Sequence, residues 1–423
     1  MDESLLHFIW KFQKIDTSAL CTADDEEVHV FQPGLHNLDS GPDFHNARIK
    51  IDGLEWNGHV EIHVRASDWL HHRHVSDPAY DNVVLHVVWQ NDAPALRADG
   101  THIPTLELKD RVELNLVANY KKYLNAPREV LCAEYLPDVP SLTWLSNLDR
   151  MLALRLQEKS KRILATADAL NHDWEEVAYR TLARTFGFSL NADSFEAMAE
   201  SLPLKVPAKH ANQPNQVQAL IFGQAGFLED VSDEFGLELK KEYAFLLQKY
   251  QLQPRLHRSH WKFGRMRPSN FPTVRLAQFA AIISRHPALF STFMAIEKMA
   301  DLKRMLNPEL PDYWQTHYDF GKALKKGTNQ MGAASLEIII INSVVPTLAA
   351  YAQHTDQPEL MERATSFLEK LPPEKNRYTE KWTALNLPPK SAFDSQAQIT
   401  LFREFCSRKK CLTCTIGSSI FNK

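Results

Sequence analysis

The chain changes its hydrophobic period once, near Leu108, and that switch restricts the folds open to it. Before it, apolar and polar residues alternate in short runs, the two-residue period of strands; the last run is Ile103 to Leu108. From about Val112 onward apolar residues recur at helical spacing, in segments broken by Pro, Gly and Asn. The predicted fold class is α+β. An N-terminal mixed-sheet α/β domain covers residues 1–125 and a larger all-α domain covers 126–423, with Pro127 to Pro140 as the connection. No repeat of fixed period occurs, so a regular solenoid is not expected.

Two acidic residues stand out in the first part. In the run Asn57 to Arg65, Val60, Ile62 and Val64 point one way, while His59, Glu61, His63 and Arg65 point the other. Upstream, Ala47, Ile49 and Ile51 alternate with Asn46, Arg48 and Lys50, and Asp52-Gly53 supplies a hairpin turn. Asp43, in Ser40-Gly41-Pro42-Asp43-Phe44, then begins one arm of the hairpin and Glu61 lies on the other. Val83 to Trp89 is apolar on both parities, the mark of a central strand buried on both faces. A helix is expected over Leu5 to Phe12. Carboxylates on neighbouring strands can hold Mg²⁺ or Mn²⁺ and activate water for phosphodiester cleavage. The plainer alternative is a turn-forming Pro-Asp and a solvated strand face.

This order of helix, three strands, crossover and strand, with Pro42-Asp43 and Glu61-Ile62-His63, resembles the PD-(D/E)XK nuclease superfamily over roughly the first third of the chain. The resemblance implies a restriction-endonuclease-like α/β domain and a divalent-metal-dependent nuclease acting on nucleic acid, DNA ahead of RNA. It makes Asp43 and Glu61 the metal ligands. His63 stands where the superfamily usually has Lys and would orient or deprotonate the attacking water; imidazole can take a proton near neutral pH. His59 and Arg65 would orient the phosphate. Two rivals remain. One is a catalytically inactive nucleic-acid-binding or scaffold protein with the same fold. The other is a His/Glu-ligated transition-metal enzyme of β-barrel type, since His59, Glu61 and His63 share one strand face. A wider set, including Ser67-Asp68-Trp69 and Arg267 to Pro272, resembles an uncharacterised bacterial family known only as a domain of unknown function, which implies no activity.

Further constellations have a bland reading beside the functional one. His71-His72-Arg73-His74 and Asp77 fall on the crossover after the third strand, as phosphate contacts, auxiliary ligands or a polar helix turn. His86, among apolar residues, reads as a hydrogen-bonded core histidine. Arg258, Lys262, Arg265 and Arg267 (with Arg255) form a basic run interleaved with Trp261 and Phe263, suited to phosphate contacts and base stacking, or to a basic loop whose aromatics enter the core. Asn270 is expected to cap the helix that follows, and Pro203 to Gln216 to form an exposed loop. Cys406, Cys411 and Cys414 could give three thiolates to a structural Zn²⁺ or iron–sulfur cluster, with Cys132, Cys21 or a histidine as the fourth ligand.

The net charge of −4 gives no global attraction to nucleic acid, so such contacts must be local. Five scattered cysteines argue for a reducing compartment. The acidic start at Asp2-Glu3 lacks the pattern of a secretory signal. Leu336 to Tyr351 is interrupted by Glu337, Asn342 and Pro346 and reads as a buried helix, not a span. A cytoplasmic protein with no membrane partner is expected.

Overall fold

The computed structural model describes residues 1–37, 39–264, 266–325 and 328–421. The chain is mixed α/β and divides into two compact units, residues 1–148 with 401–423, and residues 149–400. The boundary expected at 125/126 therefore lies further on, and the C-terminal segment belongs with the N-terminal sheet. Local helical periods give no sign of which unit a terminal segment will join.

In the first unit α1 (Glu3–Lys11) is capped by Asp2, whose carboxylate accepts from the Ser4 amide at 3.0 Å. Its Leu5, Leu6, Phe8, Ile9 and Trp10 are buried. The strands are β1 (Val28–Gln32), β2 (Leu35–His36), β3 (Phe44–Ile51), β4 (Leu54–Arg65), β5 (Val83–Gln90) and β6 (Thr105–Glu107). They form one sheet in the order β1-β3-β4-β5-β6, with β2 also on β3. The β1/β3 and β3/β4 pairs are antiparallel; β4/β5 and β5/β6 are parallel.

The β3–β4 turn is the expected Asp52-Gly53, both at positive φ (44° and 84°), between the partners Ile51 and Leu54. That is the two-residue hairpin whose twist matches the strands. The register slips between Phe44 and Ala47, where Asn46 adopts φ 56°, so the residues after Asp43 bulge against β4. Strand β5 is buried from Val83 to Val88, as its unbroken apolar run requires. The parallel β4–β5 step runs through α2 (Asp68–His71) and two short 3₁₀ turns. Trp69 anchors that crossover, 1% exposed, its indole donating to the Leu96 carbonyl at 2.9 Å. Helix α3 (Leu114–Leu124) follows. Among the described residues the end strands β1 and β6 do not pair, so the sheet is open and not the barrel that the transition-metal rival assumed.

The division into units falls inside α4 (Ser141–Ala169). The second unit is chiefly helical but contains a small hairpin, His317–Asp319 with Lys322–Ala323, so it is not all-α. Two expectations change here. Residues 203–216 are not an exposed loop: Lys205–Ala208 is a helical turn, Val206, Pro207 and His210 are buried, and Pro214 opens the next helix. Phe271, not Asn270, caps the helix Pro272–Arg285; Asn270 ends a 3₁₀ turn and accepts from Arg275 at 2.8 Å. The helix read over Leu336 to Tyr351 is present and runs Ala333–Thr355. By length and composition it could cross a membrane, but 67% of its most apolar stretch is buried within the protein.

Candidate metal centre

Asp43 immediately precedes β3 and Glu61 sits mid-way along β4. The β3/β4 register brings them together. The Asp43 amide donates to Glu61 Oε2 at 3.1 Å, and the Ile62 amide donates to Asp43 Oδ2 at 2.9 Å. Glu61 thus spends one oxygen on the Asp43 amide, and Asp43 one on the amide of Ile62, next to Glu61, which fixes both without quenching their charge. Glu61 is 5% exposed, and burial followed by the nearby Asp43 raises its pKa above the ordinary carboxylate value despite His74 beside it.

The other oxygen of Glu61 faces imidazoles. Oε1 lies 3.6 Å from His63 Nε2 and 3.3 Å from His74 Nε2. One nitrogen each of His63, His72 and His74 lie within 4.8 Å of one another. His72 and His74 face the same way because Arg73 between them adopts left-handed backbone, φ 62°. Tyr80 stacks on His74 at 3.8 Å, and Trp69 packs edge-on against it at 5.2 Å. Burial, then nearby Glu61, pushes the Tyr80 hydroxyl up to about 12.

Behind His63 stands His86 from β5, fully buried, with Nε2 2.8 Å from His63 Nδ1. The expected hydrogen-bonded core histidine is thus also the support of a site histidine. Burial first, and then the neighbouring imidazoles, push His63 down to about 2; burial likewise pushes His86 down to about 3. Both are neutral at physiological pH. If His63 Nδ1–H donates to His86, Nε2 keeps its lone pair on the side of Glu61 and His72, the tautomer a metal ligand needs.

On the other flank, His7 of α1 places Nε2 3.2 Å from Asp43 Oδ2 and 3.8 Å from Glu3 Oε1. Glu3, His7 and Asp43 form a second group with donor atoms within 4.8 Å of one another. Burial lowers the His7 pKa, but the Asp43 carboxylate outweighs it and the net shift is upward. Neither His7 Nε2 nor His74 Nε2 makes a hydrogen bond of normal geometry, although each faces a carboxylate oxygen. Imidazoles and carboxylates crowded in this way fit a divalent ion of the Mn²⁺, Fe²⁺ or Zn²⁺ class, and Mg²⁺ less well, since imidazole is a softer donor than oxygen.

The remaining candidates are dispersed. His59, half-buried mid-way along β4, packs edge-on against His45 at 4.6 Å and accepts weakly from the Asn46 amide at 3.4 Å. Arg65 is exposed at the other end, its amide held by Asp68. His71 is exposed beside Asp68, and Asp77 caps a 3₁₀ turn through the Ala79 amide. Arg258, Lys262 and Arg267 belong to the second unit. The Arg258 guanidinium is gripped by Asp319 (2.6 Å) and lies over Phe227 and Phe263, both at 5.0 Å, as the core-plugging alternative expects. Arg265 lies outside the described residues. His7 escaped the sequence reading. Its only signal was Glu3 and His7 at i,i+4 on a helix that is otherwise apolar from Leu5 to Trp10.

No curated protein and no solved structure matches the chain. A family model described as a protein of unknown function, DUF2851, matches residues 3–377. The chain, with its two carboxylates and ring of imidazoles, belongs to that family.

Proposed function

We propose that the protein is a divalent-metal-dependent hydrolase of nucleic-acid phosphodiester bonds. The observation that carries this reading is the meeting of Asp43 and Glu61 at the β3/β4 pair, ringed by His7, His63 and His74. A helix, antiparallel strands, a crossover and a parallel strand are the kinds of element that the PD-(D/E)XK resemblance implies, and to that extent support the reading. A divalent ion bound there would supply charge to a phosphoryl oxygen and acidify its water. Glu61 and Asp43 hold the ion, and His63, kept neutral by burial, serves better as a ligand than as a proton acceptor. His7, whose pKa is raised, is the side chain best able to hand a proton to a leaving oxygen. Arg65 and Arg73, both exposed, are available to phosphate.

The imidazole set favours one second reading, a transition-metal enzyme with a different substrate. Incubation with DNA, RNA and a bis(nitrophenyl) phosphate ester, each with Mg²⁺, Mn²⁺ or Zn²⁺, separates the two. Cleavage lost in Asp43→Ala and Glu61→Gln supports the hydrolase. Tight metal uptake without any phosphodiester cleavage overturns it and leaves the second reading.

A further inference from the structure

The first unit contains four thiols that neither the sheet nor the centre between β3 and β4 uses. Cys132 follows α3; Cys406 ends a π-helical turn, Leu401–Cys406; Cys411 and Cys414 lie on the tight turn before helix Thr415–Phe421. No disulfide joins them, and Cys132, Cys411 and Cys414 are buried. Although 273 positions separate Cys132 from Cys406, these thiols form one neighbourhood. That of Cys132 feels Cys411 and Cys414, and that of Cys406 feels all three others. Cys21, the fifth, sits apart in a β-bridge with Glu27.

The surroundings are built for close approach. The Cys414 amide donates to the Cys411 carbonyl at 3.2 Å, closing a Cys-x-x-Cys turn that presents two sulfurs together. A methyl group at Gly417 would come within 2.1 Å of the Cys411 carbonyl oxygen, so only glycine lets the helix lie against that turn. Lys409 donates to the Leu124 carbonyl at 3.0 Å, and Phe421 packs edge-on against Tyr123 at 4.7 Å, fixing the segment on either side of the sulfurs. The Tyr123 hydroxyl is buried beside Cys132 and Cys411 with no oxygen or nitrogen partner. π-Helical turns occur mostly where function outweighs regular packing, and this one ends on Cys406.

We propose that Cys132, Cys406, Cys411 and Cys414 are the four thiolate ligands of an iron–sulfur cluster that fastens residues 401–421 to the first unit; no three of their sulfurs lie within 4.8 Å of one another, as a single zinc ion would need. The structure selects Cys132 as the fourth ligand where the sequence left it open between Cys132, Cys21 and a histidine. The centre is separate from the β3/β4 carboxylates, so its test does not depend on any hydrolytic activity.

The full chain, purified anaerobically without a metal-affinity column and reconstituted with Fe²⁺ and sulfide, is analysed for iron and acid-labile sulfide. About four irons with matching sulfide and a broad visible absorption are expected per chain beyond any metal lost in Glu61→Gln. Cys132→Ser should lose more than half of that metal and Cys21→Ser none. Should Cys132→Ser not fold, alkylation of the folded wild type decides. Stripping with a chelator, plus ferricyanide for a cluster, should make the four thiols reactive together while Cys21 is unaffected. Failure of the wild type to take up iron and sulfide, full retention in Cys132→Ser, or unchanged alkylation after stripping overturns the proposal.

Discussion

Asp43 and Glu61 hold each other through the backbone: the amide of the first donates to the side chain of the second at 3.1 Å, and the amide next to Glu61 donates to Asp43 at 2.9 Å. Neither carboxylate can rotate away without stranding a buried N–H, which costs about 1–3 kcal/mol. The pair is pre-set for a cation. Asp43→Ala and Glu61→Gln are therefore each expected to weaken Mn²⁺ binding by about tenfold or more. Calorimetric titration checks this, and unchanged affinity in both variants would remove the site.

His86 touches neither carboxylate but fixes the ring of His63 at 2.8 Å. It is a positioning residue. His86→Leu, close in volume, should lower metal affinity by roughly 10–100-fold while circular dichroism stays unchanged. His86→Gln, which restores an acceptor, should recover part of the loss. Equal defects in the two variants would mean that His86 only fills space.

The same two histidines make the first unit acid-sensitive. Their folded pKa values, about 2 and about 3, lie below the ordinary histidine value, so the unfolded chain binds the extra protons. Stability is fully present above about pH 6.5 and falls as the pH drops from there toward 3. His7 acts in the opposite sense. Its raised pKa gives stability present at low pH and lost as the pH rises past the folded value. Urea titrations between pH 7.5 and 5 should show net loss on acidification, reduced in His86→Leu; a flat profile contradicts this account.

Trp69 is 1% exposed and holds the crossover that carries His72 and His74. Trp69→Ala leaves a large void and orphans the Leu96 carbonyl, so a loss of about 3–5 kcal/mol is expected in denaturant titration. Metal affinity should fall with it, because His74 packs on that indole.

Gly58 on β4 faces β5 so closely that a methyl group would lie 2.4 Å from Val84 Cγ1 and 2.7 Å from the Asn82 carbonyl. Gly58→Ala should cost about 1–3 kcal/mol of overpacking and disturb the parallel pair just before Glu61. A thermal midpoint equal to that of the wild type would contradict this.

How much of the site could be read in advance follows from which forces set it. Asp43, Glu61 and the hairpin were legible because alternation and the Asp52-Gly53 turn fix strand register locally. His72 and His74 were visible as residues but not as a pair, since their convergence needs the left-handed Arg73, which side-chain type does not announce. His7 reaches Asp43 through packing of α1, a tertiary contact with no local trace. The same limit hid the return of residues 401–423 to the first unit, because each stretch of helix there obeys only its own short-range pattern.

That return has a consequence for biosynthesis. Leu412 belongs to the apolar core of the sheet, and Phe421 packs on Phe8, Tyr120 and Tyr123. A ribosome makes these residues only after the whole of 149–400, so the nascent sheet must wait with part of its apolar surface uncovered while the helical body between is translated. The helical unit can fold as it emerges; the unit bearing Asp43 and Glu61, although translated first, is finished last.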